Sequence, residues 1–433
     1  MRDMLPDEHN VASFLKKVIR YRCRQAGIRR ITTPIFERPV ILDSLPQAKW
    51  GERVLFNVAE GKSNELVLRS GFMWGIWRAY ITHKMSEKPQ PQELYALDLC
   101  FATEWQQEQL LVKQFLGFDI EIIGEEDPAL DAQILKLWQT ICSDIGIVNC
   151  LTVKLSKIGD VEARQKFAGE IEQYYLGKER SLCSVCKGNL IEKKFFSLLS
   201  CPEEDCQILA KLAPRLEKYF SPDLKEFYQN IEEYLEALEV KYEWQDYLFS
   251  DTYSFFQPLY GEIYLDQKKV GHIGHYQNIL AVDEENSIAG RSFCLNLDEV
   301  IKVMQEKNVF VPFKDNIHVY VAQLGPEAKK KGMALLYQLR DQGIKVIGSM
   351  GKGSMQEQVD IAYKFRIPYC VLLGRMEVNE DIVLVRDMKT GKRQTVPMNQ
   401  INDYLLERIP AEELDKVHPD SAKRSALFYH QGE

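Results

Sequence analysis

Four cysteines and two histidines are spaced so as to invite chemistry. Cys183 and Cys186 form C-x2-C in SLCSVCKGNL, Cys201 and Cys206 follow as C-x4-C in SLLSCPEEDCQIL, and fourteen residues separate the pairs. Thiolates at such spacings can surround one tetrahedral zinc, a staple that a small module uses where its apolar core is thin. The alternative is a metal-free helical insertion in which the cysteines are incidental. His272 and His275 form H-x2-H in GHIGHY. Together with Asp251 they offer a metal or acid/base site; otherwise they are two partly exposed loop histidines beside a turn. GSMGKGS, residues 348–354, lacks phosphate-loop spacing because Ser354 does not directly follow Lys352. It reads as a strand-to-helix turn whose helix start could hold a phosphate of RNA.

The elements that must carry these residues follow from periodicity. Val11, Phe14, Leu15, Val18 and Ile19 recur at helical spacing within residues 7–27, ahead of Gly27. LVLR (66–69) predicts a strand, 70–85 a helix, 92–124 a hairpin and 128–146 a second helix. Residues 160–235 are helical and charged and hold the clustered cysteines; residues 243–300 return to strands and a helix, with turns expected at Gly261, Gly271 and Gly274. From about Asp315, strands alternate with helices, which implies a small α/β sheet.

With 433 residues the chain exceeds the roughly 250–300 at which one core stops growing, so at least two domains are expected. A net charge of -8 excludes a surface that is basic throughout. Residues 311–405 differ from the rest, with 14 Lys plus Arg against 10 Asp plus Glu, a mild balance toward an acidic ligand or RNA. The first residues mix both charge signs without a secretory core, and no run approaches the roughly 18 apolar residues of a membrane helix, so a cytoplasmic protein is expected. Six further cysteines, Cys23, Cys100, Cys142, Cys150, Cys294 and Cys370, read as small core residues.

The segment order resembles histidyl-tRNA synthetase, a class II aminoacyl-tRNA synthetase, from Met1 to about residue 410. RRITTPIFERP resembles the first class II motif, with Pro34 at its proline, and LVLR with RAYITH resembles the approach to the second. FDIEIIGEEDPALDAQIL and KLSKIGDVEARQKF are similar to the family's equivalents; LRDQGIKV, LLGRMEV and VRDMKTGKRQTVP resemble its anticodon-binding domain. The resemblance implies an α+β fold: a class II synthetase-like antiparallel sheet with flanking helices over 1–310, a helical insertion at about 160–240, an anticodon-binding-like α/β domain over 311–410, and a tail, 411–433. It also implies a homodimer formed around Pro34 and a reaction that activates histidine with ATP and magnesium before transfer to tRNA.

The positions carried over one by one mostly fail. That chemistry places cations on phosphates and carboxylates on an amino group. The family's α-phosphate arginine falls on Thr103, its substrate-holding glutamine on Gly117, its amino-binding glutamate on Gly71 and its threonine on Met73, while Arg69 and Glu121 persist. In DTYSFF the histidine-specific arginine falls on Asp251 and the tyrosines on Phe255 and Phe256; the third-motif arginine falls on Glu299. No arginine occurs between Arg78 and Arg164 or between Arg215 and Arg291, so sliding the frame recovers none. An active enzyme with an atypical pocket would have to recruit Arg69, Lys113, Lys268 or Lys269, and lysine lacks the planar fork. Gln356, Glu357, Gln358 and Asp360 also stand where the family is commonly lysine-rich. The expectation is a non-catalytic paralogue that binds RNA or a protein. The alternatives are an active histidine-tRNA ligase and a regulatory subunit of the ATP phosphoribosyltransferase type.

Overall fold

Strict alternation organises the long hairpin. Along FDIEII, Phe118, Ile120 and Ile122 enter one core, whereas Asp119, Glu121 and Ile123 turn to the other side of the sheet. The structure, a computed structural model, describes residues 3–37, 66–106, 109–246, 248, 256–283, 286–311, 317–348, 353–411 and 414, with side chains for all but 103–106, 109–112, 277–283, 286 and 287. The chain divides into two units, Met1–Pro312 and Phe313–Glu433.

In the first unit, helix α1 (Pro6–Gln25) begins with Pro6 and the acidic Asp7 and Glu8, and ends with Arg22 and Arg24, as the helix dipole favours. Its buried stripe is Ala12, Leu15, Ile19 and Cys23. The short strands β1 (Arg29–Arg30), β2 (Phe36–Glu37) and β3 (Val67–Leu68) precede helix α2 (Met73–Thr82). Then come the hairpin β4 (Gln92–Gln106) and β5 (Gln109–Ile123), helix α3 (Ala129–Asp144) and strand β6 (Leu151–Lys157). The insertion contains α4 (Val161–Tyr175), α5 (Ser184–Ile191), α6 (Phe195–Leu199), α7 (Glu204–Lys211) and α8 (Pro222–Ala237). Strands β7 (Glu243–Trp244), β8 (Phe256–Leu265), β9 (Lys268–Asp283) and β10 (Asn286–Asn296) and helix α9 (Leu297–Glu306) complete the unit.

Eight strands form one sheet in the order β1-β4-β5-β10-β9-β8-β6-β7. Among the described residues of this sheet, only the β1–β4 and β6–β7 pairs are parallel. One face packs against α1, α3, α9 and part of α8; the other lies beneath α2 and the insertion.

Gly261, Gly271 and Gly274 do not make turns. They sit inside β8 and β9, where neighbours occupy the space of a side chain. A Cβ on Gly271 would stand 2.0 Å from the Cys294 carbonyl oxygen, and one on Gly274 would stand 2.4 Å from the Phe256 ring. The chain reverses instead beyond Leu265, with Asp266 in the left-handed region.

The second unit has the strand order β12-β11-β13-β14-β15, with β11 (Val319–Gln323), β12 (Val346–Gly348), β13 (Tyr369–Leu373), β14 (Ile382–Asp387) and β15 (Arg393–Pro397). Helices α10 (Pro326–Asp341) and α13 (Ile401–Leu406) pack on one face and α11 (Met355–Lys364) on the other. A short helix, α12 (Arg375–Glu380), lies between β13 and β14. Ser354 caps α11 by accepting from the Glu357 N–H at 3.2 Å; residues 349–352 of the glycine-rich turn lie outside the described residues.

Candidate functional site

The register of β5, β10 and β9 decides which residues meet. Glu121 lies opposite Ser292, and Ser292 opposite Gly274; Asp119 lies opposite Cys294, and Cys294 opposite His272. All of these turn toward α2, which supplies Trp77. Glu121 is fully buried and sealed by donors: the Ser292 hydroxyl donates to one oxygen, the Tyr276 hydroxyl (3.1 Å) and the Trp77 indole N–H (3.4 Å) to the other. The Trp77 indole is also 2.8 Å from the Tyr276 oxygen, and the two rings meet at 4.4 Å. Asp119 accepts from the Phe72 N–H at 2.8 Å. Asp119, Glu121 and Cys294 bring ligand atoms within 4.8 Å of one another. Both Glu121 oxygens already accept from hydroxyl or indole donors, so a cation there would have to displace them.

Burial pushes the Glu121 carboxyl well above the usual carboxylate range, Asp119 adds to this, and the three donors oppose it. A carboxyl with a higher pKa folded than unfolded keeps its proton in the native state where the unfolded chain has released it. Stability therefore falls as pH rises from about 4.3, the unfolded value, toward the folded one. Glu121→Gln retains an acceptor but cannot ionise. In thermal melts from acid to neutral pH, the variant is expected to gain on the wild type as pH rises and to lose that gain in acid; a pH-independent difference would overturn the assignment.

The persisting arginine is engaged. Arg69 is 4% exposed and donates to the Leu99 and Thr33 carbonyl oxygens, each at 2.7 Å, with Asp98 at 3.6 Å and the Phe72 ring 4.5 Å below its guanidinium. Gly71 faces Asp119: a Cβ there would lie 3.6 Å from a carboxylate oxygen, so a glutamate would meet like charge. Met73 is buried at the start of α2. A Cβ on Gly117 would stand 2.8 Å from the Cys100 sulfur and 3.0 Å from the Phe72 ring, so those two side chains leave a larger side chain no room. Phe256 is buried over Gly274. Glu299, in the first turn of α9, is ion-paired with Lys302. Thr103 pairs with Val112 in the hairpin, its side chain outside those described; Asp251 and Phe255 lie outside the described residues.

Of the lysines that could replace arginine, Lys268 is held by Glu306 at 2.6 Å and Lys269 by Glu262. Arg291, nearest the site in sequence, turns to the opposite face of β10, where it is fully buried. It donates to Asp131 (3.1 Å) and to the carbonyl oxygens of Glu125 (3.1 Å) and Asp127 (3.0 Å).

The histidines are not loop residues. Three positions apart on β9, they fall on opposite faces: His272 stacks on Tyr260 at 6.1 Å, whereas His275 is buried 3.9 Å from Asp131 and 5.6 Å from the Phe227 ring centre. The structure does not join them in one site. Burial, and then Arg291, hold His275 well below the usual histidine range, so it is neutral.

The cysteines do converge. The four sulfurs of Cys183, Cys186, Cys201 and Cys206 lie within 4.8 Å of one another. Asp119, Ser292, Trp77, Tyr276 and Arg291 are the residues that sequence reasoning missed. For Asp119, Tyr276, Arg291 and Ser292 the signal was alternation in β5, β9 and β10, which shows only once the register is known; Trp77 comes from the buried side of α2.

The sheet order and flanking helices form a class II aminoacyl-tRNA synthetase-like fold. Residues 1–173 match the profile described as Histidyl-tRNA synthetase, and 318–408 match that described as Anticodon binding domain. The histidine--tRNA ligase of Desulforamulus reducens is 26% identical over 411 residues, covering 94% of this chain and 97% of the relative. Among solved structures, the apo histidyl-tRNA synthetase of S. aureus superposes with a TM-score of 0.75 at 20% identity, covering 94% of this chain and 98% of that one. An ATP phosphoribosyltransferase regulatory subunit/histidyl-tRNA synthetase from Bacillus halodurans gives 0.59 at 17% identity, covering 86% and 97%. The chain belongs to the histidyl-tRNA synthetase-like family of class II synthetases.

Proposed function

We propose that this chain is a synthetase-fold paralogue that makes no aminoacyl adenylate and acts as a cytoplasmic homodimer that binds RNA through its C-terminal domain. The observation that carries the reading is the closed face around Glu121. Where the family holds its substrate, this chain places Phe72 and Cys100 against Gly117, and it surrounds the surviving carboxylate with Trp77, Tyr276 and Ser292. Loss of one transition-state donor commonly costs about 10²–10³ in rate, and several phosphate-facing positions have no cation here. The residues present do not fit a magnesium-bound triphosphate. Support for RNA is the matched anticodon-binding domain and the basic balance of residues 311–405. Among the described residues no helix is long and apolar enough to cross a membrane.

Within α11, Gln358 is a clamp rather than a surface contact: its oxygen accepts from the Gln323 N–H at 3.0 Å and its amide donates to the Gln323 carbonyl oxygen at 2.8 Å. Any RNA contact on that helix therefore falls to its exposed residues, such as Gln356 and Asp360.

The test is histidine-dependent ATP–pyrophosphate exchange beside an authentic synthetase, with tRNA binding measured over a salt series. Absent exchange with salt-sensitive RNA binding is the expected result. Exchange that requires histidine would mean an active ligase with an atypical pocket. Absent exchange with no RNA binding would turn the search to a protein partner, including the enzyme that a phosphoribosyltransferase regulatory subunit serves.

A further inference from the structure

The insertion brings together three helix ends around four sulfurs. Cys183 precedes α5 and Cys186 lies in its first turn, Cys201 follows α6, and Cys206 lies near the start of α7. Every cysteine is a free thiol, and Cys186, Cys201 and Cys206 are buried. The sulfurs of Cys183 and Cys201 are 3.9 Å apart, and all four sulfurs are within 4.8 Å of one another. Four sulfurs about 2.3 Å from a central ion would be separated by about 3.8 Å, so the cluster is near the size of a tetrahedral metal cage.

Backbone groups are aimed at these sulfurs. The Cys186 N–H donates to Cys183 Sγ at 3.4 Å and the Cys183 N–H to Cys206 Sγ at 3.3 Å. Such donors stabilise negative charge on sulfur and orient it, the role that outer hydrogen bonds play around metal-bound ligands. Four thiols packed as ordinary apolar residues would need neither that convergence nor those donors. Two cystines would draw the sulfurs into two bonded pairs instead of one four-membered group.

We propose that Cys183, Cys186, Cys201 and Cys206 bind one structural zinc ion as a closed tetrathiolate site. An all-sulfur tetrahedral set favours zinc or iron, and a set with no open position favours a structural role over a catalytic one. The ion ties α5 to the ends of α6 and α7. Of these, α6 contributes Phe195, Phe196, Leu198 and Leu199 to the apolar core on that side of the sheet. All four ligands lie in the insertion and none contacts Glu121 in the hydrogen bonds described above, so the site's occupancy is tested without adenylate chemistry.

The experiment is elemental analysis of the full chain purified without chelator under reducing conditions, beside Cys201→Ser, Cys206→Ser and the control Cys150→Ser. About one zinc per chain is expected in the wild type and in Cys150→Ser, with severalfold less in the other two. Because a serine variant that fails to fold would also lose metal, the wild type is also stripped and reloaded with cobalt. Visible d–d bands with a near-ultraviolet thiolate band identify a tetrahedral sulfur site. No zinc in the wild type, iron in its place, zinc retained by Cys201→Ser and Cys206→Ser, or a cobalt spectrum without thiolate bands would each overturn the proposal.

Discussion

Arg291→Met is expected to lower the unfolding free energy by about 3–5 kcal/mol, the usual cost of stripping the partner from a buried charge. Arg291 and Asp131 are both fully buried, and their ion pair is closed by the carbonyl oxygens of Glu125 and Asp127. Removing the guanidinium takes the cation from Asp131, with the neutral His275 at 3.9 Å, and leaves two carbonyl oxygens without this donor. Burial already raises the Asp131 pKa, and Arg291 is the main influence holding it down. In the variant that pKa rises further, so the deficit is smallest in acid, where Asp131 is neutral in both states, and grows as pH climbs through the window between unfolded and folded values. Urea denaturation at several pH values measures this. The double variant Arg291→Met with Asp131→Leu is expected to recover much of the loss, because the stranded charge is gone. By contrast, Arg215→Ala at the exposed pair with Asp246 should cost about 0–1 kcal/mol. A similarly small change for Arg291→Met would show that this arginine is not the buried linchpin that its geometry indicates.

That arginine also marks how far sequence could be read. Periodicity placed α1, the β4–β5 hairpin, α3 and the alternating second unit, because apolar spacing is a local property. The four cysteines were legible in part: each short spacing holds its own pair together, while the meeting of the two pairs is shown by the structure. What was not legible is the side of the sheet on which a residue lies relative to residues far along the chain. Arg291 and Ser292 are neighbours in sequence, yet one locks Asp131 on one face and the other donates to Glu121 on the opposite face. His272 and His275 look like a pair for the same misleading reason, since a spacing of three suits a helix or loop and separates residues in a strand. Gly261, Gly271 and Gly274 read as turns because sequence cannot show what fills the space their missing side chains leave. Once β5, β10 and β9 are in register, Phe72, Trp77 and Tyr276 gather around Gly117 and Glu121, and that aromatic packing is what the proposed loss of adenylate chemistry rests on.

Gly117→Gln, which restores the family's amide, is accordingly expected to destabilise the protein by about 1–3 kcal/mol and to give no histidine binding. The first added carbon would stand 2.8 Å from the Cys100 sulfur and 3.0 Å from the Phe72 ring, and the rest of the side chain needs volume that those groups hold. Neither neighbour yields freely. Cys100 is buried within β4, and Phe72 is pinned by its N–H on Asp119 and by the Arg69 guanidinium over its ring. Phe72→Ala alone should cost about 3–5 kcal/mol through the cavity it leaves. The double variant should lose less than the two single losses added together, because the amide then occupies the vacated space. Urea unfolding of the four proteins measures that coupling, and calorimetric titration with histidine measures whether space alone restores a ligand site. Strict additivity would mean that Phe72 does not occupy the glutamine's place. Coupling without histidine binding would mean that it does, and that reopening the volume leaves Arg69, Gly71 and the sealed Glu121 still unable to hold a zwitterion.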